Sequence, residues 1–260
     1  MSKQDTETGV VAAENLDRVE APVTWRTYAM CVFASFGGIF FGYDSGYIGG
    51  VQGMDFFIKT ISGPGEKELL SWQSSLIVSI LSAGTFCGAL IAGDLADYFG
   101  RRFTIILGSA VFIVGVALQT ASAGLVLLVV GRAVAGLGVG FVSAVIILYM
   151  SEIAPKKVRG AIVSGYQFCI TIGLLLAACV TYGTEDLQNS SSYRIPIGLQ
   201  MLWALILGVG LVFLPESPRY FIKKGKVEEA RSALGRVRGQ DPNSHHIEAE
   251  LNEIRANYEY

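Results

Sequence analysis

The chain has 260 residues, of which 52% are hydrophobic and 16% are charged, and its net charge is −2. Soluble domains carry about 25% charged residues, so this composition excludes a disordered chain, and too few basic clusters lie outside the C-terminal segment for a nucleic-acid-binding protein. The 31 glycines follow no collagen repeat, and long apolar, glycine-rich stretches are typical of a helical membrane protein.

The chain order predicts three regions. Residues 1–27 form a polar N-terminal tail without the basic region, short apolar core and cleavage site of a signal peptide. Residues 28–214 form a bundle of membrane-spanning helices, each of which needs about 20 mostly apolar residues. Residues 215–260 begin a polar helical linker. The six predicted spans are Tyr28–Val51, Ser74–Leu95, Phe103–Ala121, Leu125–Tyr149, Ala161–Thr181 and Ile195–Leu214.

The basic residues predict the orientation of the spans. Sixteen of the twenty lysines and arginines fall on one side of the predicted membrane, and that side is expected to be cytoplasmic. Both ends of this chain are therefore expected inside the cell. Asn189 begins the sequence Asn-Ser-Ser in the loop before the sixth span, which this topology places outside, so Asn189 is a candidate glycosylation site.

The segment after Pro215 predicts short amphipathic helices on the cytoplasmic side. Val227, Arg231 and Leu234 recur at helical spacing, and Ile247, Leu251 and Ile254 repeat that pattern. Between the two patterns, 241–243 reads Asp-Pro-Asn, which breaks a helix.

Glycines at positions 38, 42, 46 and 50 form one ridge along the first span, because a spacing of four keeps side chains on one helix face. Such a ridge allows a second backbone to approach closely in a membrane. The pairs 84/88 and 136/140 repeat the device. Tight packing is the simplest interpretation, and close packing also suits helices that must move.

Two charged residues are predicted at membrane depth. Asp44 lies in the first span, opposite the glycine ridge, and Arg132 is the one basic residue well inside the fourth. A buried acid normally faces a cavity or a partner, so we expect Asp44 to pair with Arg132. The pair has two interpretations: a fixed ion pair that joins two helices, or a proton site whose charged and neutral states favour different conformations.

Gln167 is the third polar residue at membrane depth, and Thr171 follows it on the same helical stripe. An amide offers both donors and an acceptor, which suits a sugar hydroxyl. An interhelical hydrogen bond is an equally good interpretation of Gln167.

Three predicted cytoplasmic loops each place a carboxylate near an arginine at a helix end. Exposed pairs contribute about 0–1 kcal/mol each, whereas a linked network could hold the inner face closed. The alternative is that these charges only set the topology. The loops are 93–102, 151–160 and 215–219.

Other kinds of site are not expected. The four cysteines, at positions 31, 87, 169 and 179, lie in apolar stretches without metal-ligand spacing and are expected to be buried thiols. His245 and His246 are interpreted as a solvated pair. We find no nucleophile–base pair, metal set or phosphate-binding loop, so neither an enzyme nor a bound cofactor is predicted.

Six segments, in the same order along the chain, resemble motifs of the sugar porter family of the major facilitator superfamily. Their residues are most similar to those of fungal glucose and monosaccharide transporters. They cover about 33–219 of the chain. The segments are FGYDSGYIGG, GDLADYFGRR, GRAVAGLGVGF, SEIAPKKVRG, YQ at 166–167 and PESPR at 215–219.

The resemblance implies an all-α membrane protein of twelve helices in two halves, of which this chain is the N-terminal half, built from two inverted three-helix repeats plus short cytoplasmic helices. By resemblance, Asp44 and Arg132 match the proton-coupling acid and its partner, while Gln167 and Phe41 match sugar-contacting residues; Thr171 is added as a third candidate. The cytoplasmic gate network implied in the same way comprises Asp97, Arg101, Arg102, Glu152, Arg159, Glu216 and Arg219.

The resemblance therefore predicts transport of a monosaccharide such as glucose, by proton symport with alternating access, in the plasma membrane. The expected partners are the sugar, a proton, the lipid bilayer and a C-terminal six-helix half. Facilitative transport without proton coupling and a sugar sensor of the same fold remain alternatives.

Overall fold

The computed structural model describes residues 24–63, 68–155, 158–187 and 189–259, so nearly all of the predicted N-terminal tail lies outside the described residues. The described ranges form helices and contain no strand, which confirms the all-α prediction. The helices are α1 (Trp25–Ser35), α2 (Gly37–Gln52), α3 (Asp55–Ser62), α4 (Ser71–Phe99), α5 (Arg101–Thr120), α6 (Leu125–Ile153), α7 (Arg159–Glu185), α8 (Ser191–Phe213), α9 (Pro218–Lys223), α10 (Val227–Arg238) and α11 (His245–Glu259).

Five of the described helices, α4 to α8, are long and apolar enough to cross a membrane. They correspond to the second through sixth predicted spans. Four of the five begin before the predicted first residue, and α4, α6 and α7 also run past the predicted last residue. Hydropathy detects only the apolar middle of such a helix, whereas the backbone hydrogen bonds continue into its charged ends.

The first predicted span differs, because it consists of α1 and α2 separated by Phe36. Phe36 is a turn residue that keeps right-handed helical dihedral angles, so the chain does not reverse its direction there. Two glycines follow it, and the Ser35 hydroxyl donates to the Cys31 carbonyl at 3.0 Å. Glycine and serine at such positions weaken or bend helices. Neither piece alone therefore has the length of a span.

The long helices pack as two equivalent pairs, α2 against α7 and α4 against α6, while α5 contacts both α6 and α8. If the first three spans are matched in order with the last three, α2 corresponds to α6 and α4 to α7. The pair α2–α7 then becomes the pair α6–α4. That relation is the one expected of two inverted repeats.

The predicted glycine ridge forms the contact between α2 and α7. A Cβ on Gly38 would lie 2.5 Å from the Tyr166 carbonyl oxygen, and a Cβ on Gly42 would overlap the backbone of Ile170. The second pair of helices has the same device, since Gly84 and Gly136 approach each other through their Cα atoms. Small residues thus allow backbone-to-backbone contact in both pairs.

Replacing Gly42 with alanine in the full-length protein is expected to destabilise the bundle by about 1–3 kcal/mol, the usual cost of overpacking. The control is Gly49→Ala on the same helix, where a Cβ meets nothing within 4 Å. The measurement is the temperature at which the purified, detergent-solubilised protein loses its monodisperse elution peak. Equal stability of the two variants would contradict the close approach of α2 and α7.

The C-terminal helices confirm the two predicted amphipathic patterns. Leu234 of α10 and Ile247 and Leu251 of α11 are buried in one small apolar cluster, against which Val227 and Ile254 pack. A short helix that the sequence did not predict, α9, precedes them.

The prediction of buried cysteines is wrong for two of the four. Cys31 is buried and Cys169 is partly buried, but Cys87 and Cys179 are exposed on the outer surface of the described bundle. An apolar span has a lipid-facing side as well as a core side, and hydropathy does not distinguish them. All four thiols are free.

Candidate functional site

Asp44 and Arg132 are both buried in the interior of the bundle, each with a relative exposure of 1%. Asp44 lies in α2 and Arg132 in α6. The glycine ridge turns toward α7, so Asp44 lies on the opposite side of α2, as predicted. The two side chains are close enough to interact electrostatically.

The predicted direct pairing of Asp44 with Arg132 is wrong in this structure. Neither carboxylate oxygen of Asp44 has a hydrogen-bond partner among the residues described. Arg132 instead donates from Nε to the Ile77 carbonyl oxygen and from Nη1 to the Tyr47 hydroxyl, both at 2.6 Å. Tyr47 lies one turn after Asp44 and supplies the acceptor that the sequence interpretation assigned to the carboxylate.

The hydrogen bonds of Arg132 continue to Gln119, which is fully buried in α5. The Tyr47 hydroxyl donates to Gln119 Oε1 at 3.0 Å, and Gln119 Nε2 donates to the Gly131 carbonyl oxygen at 3.4 Å. The sequence interpretation missed both side chains. Gln119 could have been singled out, since it is a polar amide within the third predicted span. The sequence of that span does not show which helix the Gln119 side chain faces.

A second set of buried polar atoms lies where α8 packs beside α2. Gln200 lies beside Tyr47, yet neither of its amide atoms has a hydrogen-bond partner in the described part of the chain. Trp203 contacts the Tyr43 ring at a centroid distance of 6.0 Å, and its indole nitrogen is likewise unpartnered there. The interior around Asp44 therefore holds more polar groups than the sequence predicted.

The predicted sugar-contacting residues are divided between α2 and α7, the two helices joined by the glycine ridge. Phe41 is partly buried, whereas Gln167 and Thr171 are exposed. The hydroxyl of Thr171 donates to the backbone carbonyl of Gln167 at 3.3 Å. No interhelical hydrogen bond of the Gln167 side chain occurs among the described residues, so that alternative lacks support.

At the end of the bundle that the charge pattern predicts to be cytoplasmic, Arg101 connects two helices. Its side chain binds both carboxylate oxygens of Glu152 in α6, with the shortest distance 3.1 Å, and Asp97 in α4 at 3.2 Å. The Arg101 and Glu152 side chains are 8% and 5% exposed. A buried pair that is bidentate is far more sensitive to loss of one partner than a surface pair.

Glu216 acts differently from the prediction, which expected a side-chain pair with an arginine. Its carboxylate accepts the backbone N–H groups of Arg101 and Arg102 at 3.1 Å, so it caps the N-terminus of α5. A negative charge is favourable there because the first N–H groups of a helix have no partner within it. Burial raises the pKa of the Glu216 carboxyl, and the backbone donors oppose that rise.

Gly100 makes this cap possible. Its φ of +103° belongs to the region that favours glycine, and a Cβ at this position would collide with the Glu216 carboxylate. The turn between α4 and α5 therefore brings the start of α5 directly against Glu216.

The remaining gate candidates are arranged less tightly. Arg102 donates to the Val212 carbonyl oxygen at 2.6 Å. Arg159 and Arg219 line a cavity that Glu152 also lines. Within the described ranges Arg219 forms no ion pair; it is exposed on α9 and lines a second cavity with Ile254 and Asn257 of α11.

A buried clamp that the sequence interpretation missed ties the C-terminal helices to the bundle. Arg238, at the end of α10, forms an ion pair with Glu250 of α11 and donates to the Ile153 carbonyl oxygen at 3.0 Å. The hydroxyl of Thr27 in α1 donates to the Val237 carbonyl oxygen at 2.6 Å. Arg238 follows a helical pattern of mixed polarity, so only its contacts identify it.

Two further points concern the glycosylation candidate and metal binding. Asn189 is exposed and its side chain accepts the Ser191 N–H at 2.9 Å; its glycosylation stays a prediction. Among the residues described, no group of three or more His, Cys, Asp or Glu side chains is placed to hold a metal ion.

Comparison with known families gives one match over most of the chain. Residues 30–260 match the family described as "Sugar (and other) transporter".

Two relatives with high identity come from fungi. The chain is 47% identical over 244 residues to the high glucose sensor RGT2 of Saccharomyces cerevisiae, a match of 92% of this chain and 32% of that protein. It is 44% identical to the probable glucose transporter rco-3 of Neurospora crassa, over 88% of this chain and 39% of that protein. The chain thus spans less than half the length of either relative.

Among solved structures, the chain is similar to the proton:xylose symporter XylE of E. coli bound to 6-bromo-6-deoxy-D-glucose. The TM-score is 0.74 at 25% identity, over 90% of this chain and 53% of XylE. The helices described above therefore have the arrangement of about half of that transporter.

Proposed function

The chain belongs to the sugar porter family of the major facilitator superfamily, and on that premise we propose that it is the N-terminal half of a proton-coupled monosaccharide transporter. The chain covers about half of XylE, which supports a C-terminal six-helix half as its partner. Glucose is the proposed substrate, since relatives named as glucose transporters match over most of this chain.

The observation that carries the proton-coupling proposal is the unpartnered carboxyl of Asp44. It is 1% exposed and has no hydrogen-bond partner among the described residues. A fixed ion pair with Arg132 would make Asp44 a structural residue, and that interpretation loses its support. A carboxyl group at this depth can exchange a proton when its surroundings change between two conformations.

The proposed sugar site lies on the open side of α2 and α7, at Phe41, Gln167 and Thr171. The amide of Gln167 is exposed there and offers donors and an acceptor to sugar hydroxyls, while Phe41 offers an apolar ring face. The second half of the transporter would close this site, as expected for a substrate held between two halves.

The proposed gate is the charged network around Arg101, Glu152 and Glu216. It joins the junction of α4 and α5 to the end of α6 and to the segment after α8. In alternating access these helix ends would separate and rejoin, and the repacking of interface ion pairs is one of the known accompaniments of such rigid-body transitions.

The proposed location is the plasma membrane, with both ends of this chain in the cytoplasm. The basic residues gathered at the Arg101 end of the bundle support that orientation. The exposed apolar faces of α4 to α8 would contact lipid or the second half.

Glucose uptake by the full-length protein tests the proposed function. Expressed in cells that lack their own hexose transporters, the protein is expected to accumulate labelled glucose above the external concentration, and a protonophore is expected to abolish that accumulation. Uptake that only equilibrates, and that the protonophore leaves unchanged, would replace symport with facilitative transport.

A second candidate function is sugar sensing, which the 47% identity to a high glucose sensor favours. A sensor binds sugar without moving it across the membrane. The same cells discriminate the two, since a sensor would give no glucose uptake even though the protein reaches the plasma membrane.

A further inference from the structure

The partners of Arg132 distinguish this interior from a simple ion pair. The guanidinium is 1% exposed, and its two described hydrogen bonds go to neutral oxygens, the Ile77 carbonyl and the Tyr47 hydroxyl. The Cζ atom of Arg132 also lies 5.8 Å from the centroid of the Tyr47 ring. Neutral acceptors thus occupy Arg132 while the nearby acid Asp44 stays unpartnered.

The direction of each hydrogen bond in this chain is determined by the groups themselves. Arginine has only donors, so the Tyr47 hydroxyl must accept from Arg132. The single hydroxyl proton then points to Gln119 Oε1 at 3.0 Å. Gln119 Nε2 donates to the Gly131 carbonyl oxygen, which can only accept hydrogen bonds. A flip of the amide would turn its oxygen toward that carbonyl and lose this bond. Arg132, Tyr47 and Gln119 therefore form a one-way chain across α6, α2 and α5.

We propose that Tyr47 and Gln119 are positioning residues that hold Arg132 away from Asp44, so that the acid can bind and release the coupling proton without being locked in an ion pair. This inference rests on the proposed proton-coupled transport. Tyr47 and Asp44 stand one turn apart on α2, so a small rotation of α2 relative to α6 exchanges one partner of Arg132 for the other.

The Tyr47 hydroxyl thus competes with Asp44 for the guanidinium of Arg132. Without it, Nη1 of Arg132 becomes a buried donor that needs another acceptor. Asp44 is the unpartnered acid within electrostatic range, so Arg132 is expected to turn to it. The resulting ion pair would tie α2 to α6 and slow the conformational step of each transport cycle.

The test is Tyr47→Phe in the full-length protein, with initial rates of labelled glucose uptake. The maximal rate of net uptake is expected to fall about ten-fold, while KM for glucose changes by less than about two-fold, since Phe41, Gln167 and Thr171 are untouched. Gln119→Leu removes the acceptor of the Tyr47 proton and is expected to lower the maximal rate in the same way; it replaces Tyr47→Phe should that variant fail to fold.

The matched control is Tyr43→Phe. Tyr43 lies one turn earlier on α2, is also fully buried, and donates its hydroxyl to the Pro196 carbonyl at 3.1 Å rather than contacting Arg132. Tyr43→Phe loses a buried hydrogen bond of the same kind but keeps the bond between Arg132 and Tyr47. Its maximal rate should therefore stay close to that of the wild type. Equal losses in Tyr43→Phe and Tyr47→Phe would overturn the positioning role.

An experimental structure of full-length Tyr47→Phe separates this inference from the proposed function. The expected result is Arg132 within hydrogen-bond distance of Asp44. Arg132 still bound only to Ile77, with Asp44 unpaired, would overturn the inference whatever the uptake shows. If wild-type uptake proves independent of the proton gradient, the proposed symport fails, while the position of Arg132 in the variant still decides whether Tyr47 holds it.

Discussion

Replacing Asp44 with asparagine is expected to abolish accumulation of glucose by the full-length protein while leaving equilibration across the membrane measurable. Asparagine keeps the size of the side chain but cannot carry a proton at neutral pH. A symporter without its proton site has no means of linking the proton gradient to sugar movement. The measurement is the ratio of internal to external labelled glucose at steady state, which should fall to one.

The control for this variant is Asp55→Asn. Asp55 begins α3 and is exposed, so it undergoes the same chemical change outside the interior of the bundle. Its accumulation ratio should match the wild type. Accumulation against a gradient by Asp44→Asn would remove Asp44 from the coupling site.

Replacing Arg101 with alanine is expected to be the most damaging change in the charged network. It leaves the Glu152 carboxylate, which is 5% exposed, without its bidentate partner. Breaking a buried pair in this way costs about 3–5 kcal/mol, because an uncompensated charge remains. The midpoint of thermal unfolding of the purified protein should fall by about 5–10 °C, and glucose uptake should fall with it.

Lys223→Ala is the matched control for Arg101→Ala. Lys223 also forms an ion pair in this network, with Asp97, but the two side chains are 39% and 47% exposed. Such pairs contribute about 0–1 kcal/mol, so the midpoint should shift by no more than about 2 °C. Similar losses in both variants would show that Glu152 does not depend on Arg101. Arg101→Lys should lie between them, since it keeps the charge but loses the fork geometry.

The charged network around Arg101 shows that sequence reasoning grouped residues that do lie together but assigned one of them a different partner. Arg101, Glu152 and Glu216 were grouped because each stands at a helix end beside opposite charge. Glu216 nevertheless bonds the backbone N–H groups of Arg101 and Arg102 rather than a guanidinium. Backbone donors at a helix start carry no sequence signature, so this partner could not be predicted.

The polar residues around Arg132 lead to the same conclusion, and here the sequence interpretation missed two of the side chains. Asp44 and Arg132 stand out in the sequence because charges are rare at membrane depth. Tyr47 and Gln119 do not stand out, yet Arg132 donates to the Tyr47 hydroxyl, which in turn donates to Gln119. A tyrosine or an amide in a span is ordinary by composition, and its importance depends on which helix it meets.

The sequence by itself determined the five apolar segments that form α4 to α8, the glycine ridge on α2, the amphipathic pattern of α10 and α11, and the membership of the family. These properties are periodic or additive along one chain segment, so they can be read without knowing what packs beside it. The tertiary structure alone decided that Arg132 binds Tyr47, that Glu216 caps α5 and that Arg238 joins α10 to α6. Each of these bonds joins side chains or backbone groups from distant segments, and its formation depends on helix rotations and offsets of an ångström or less.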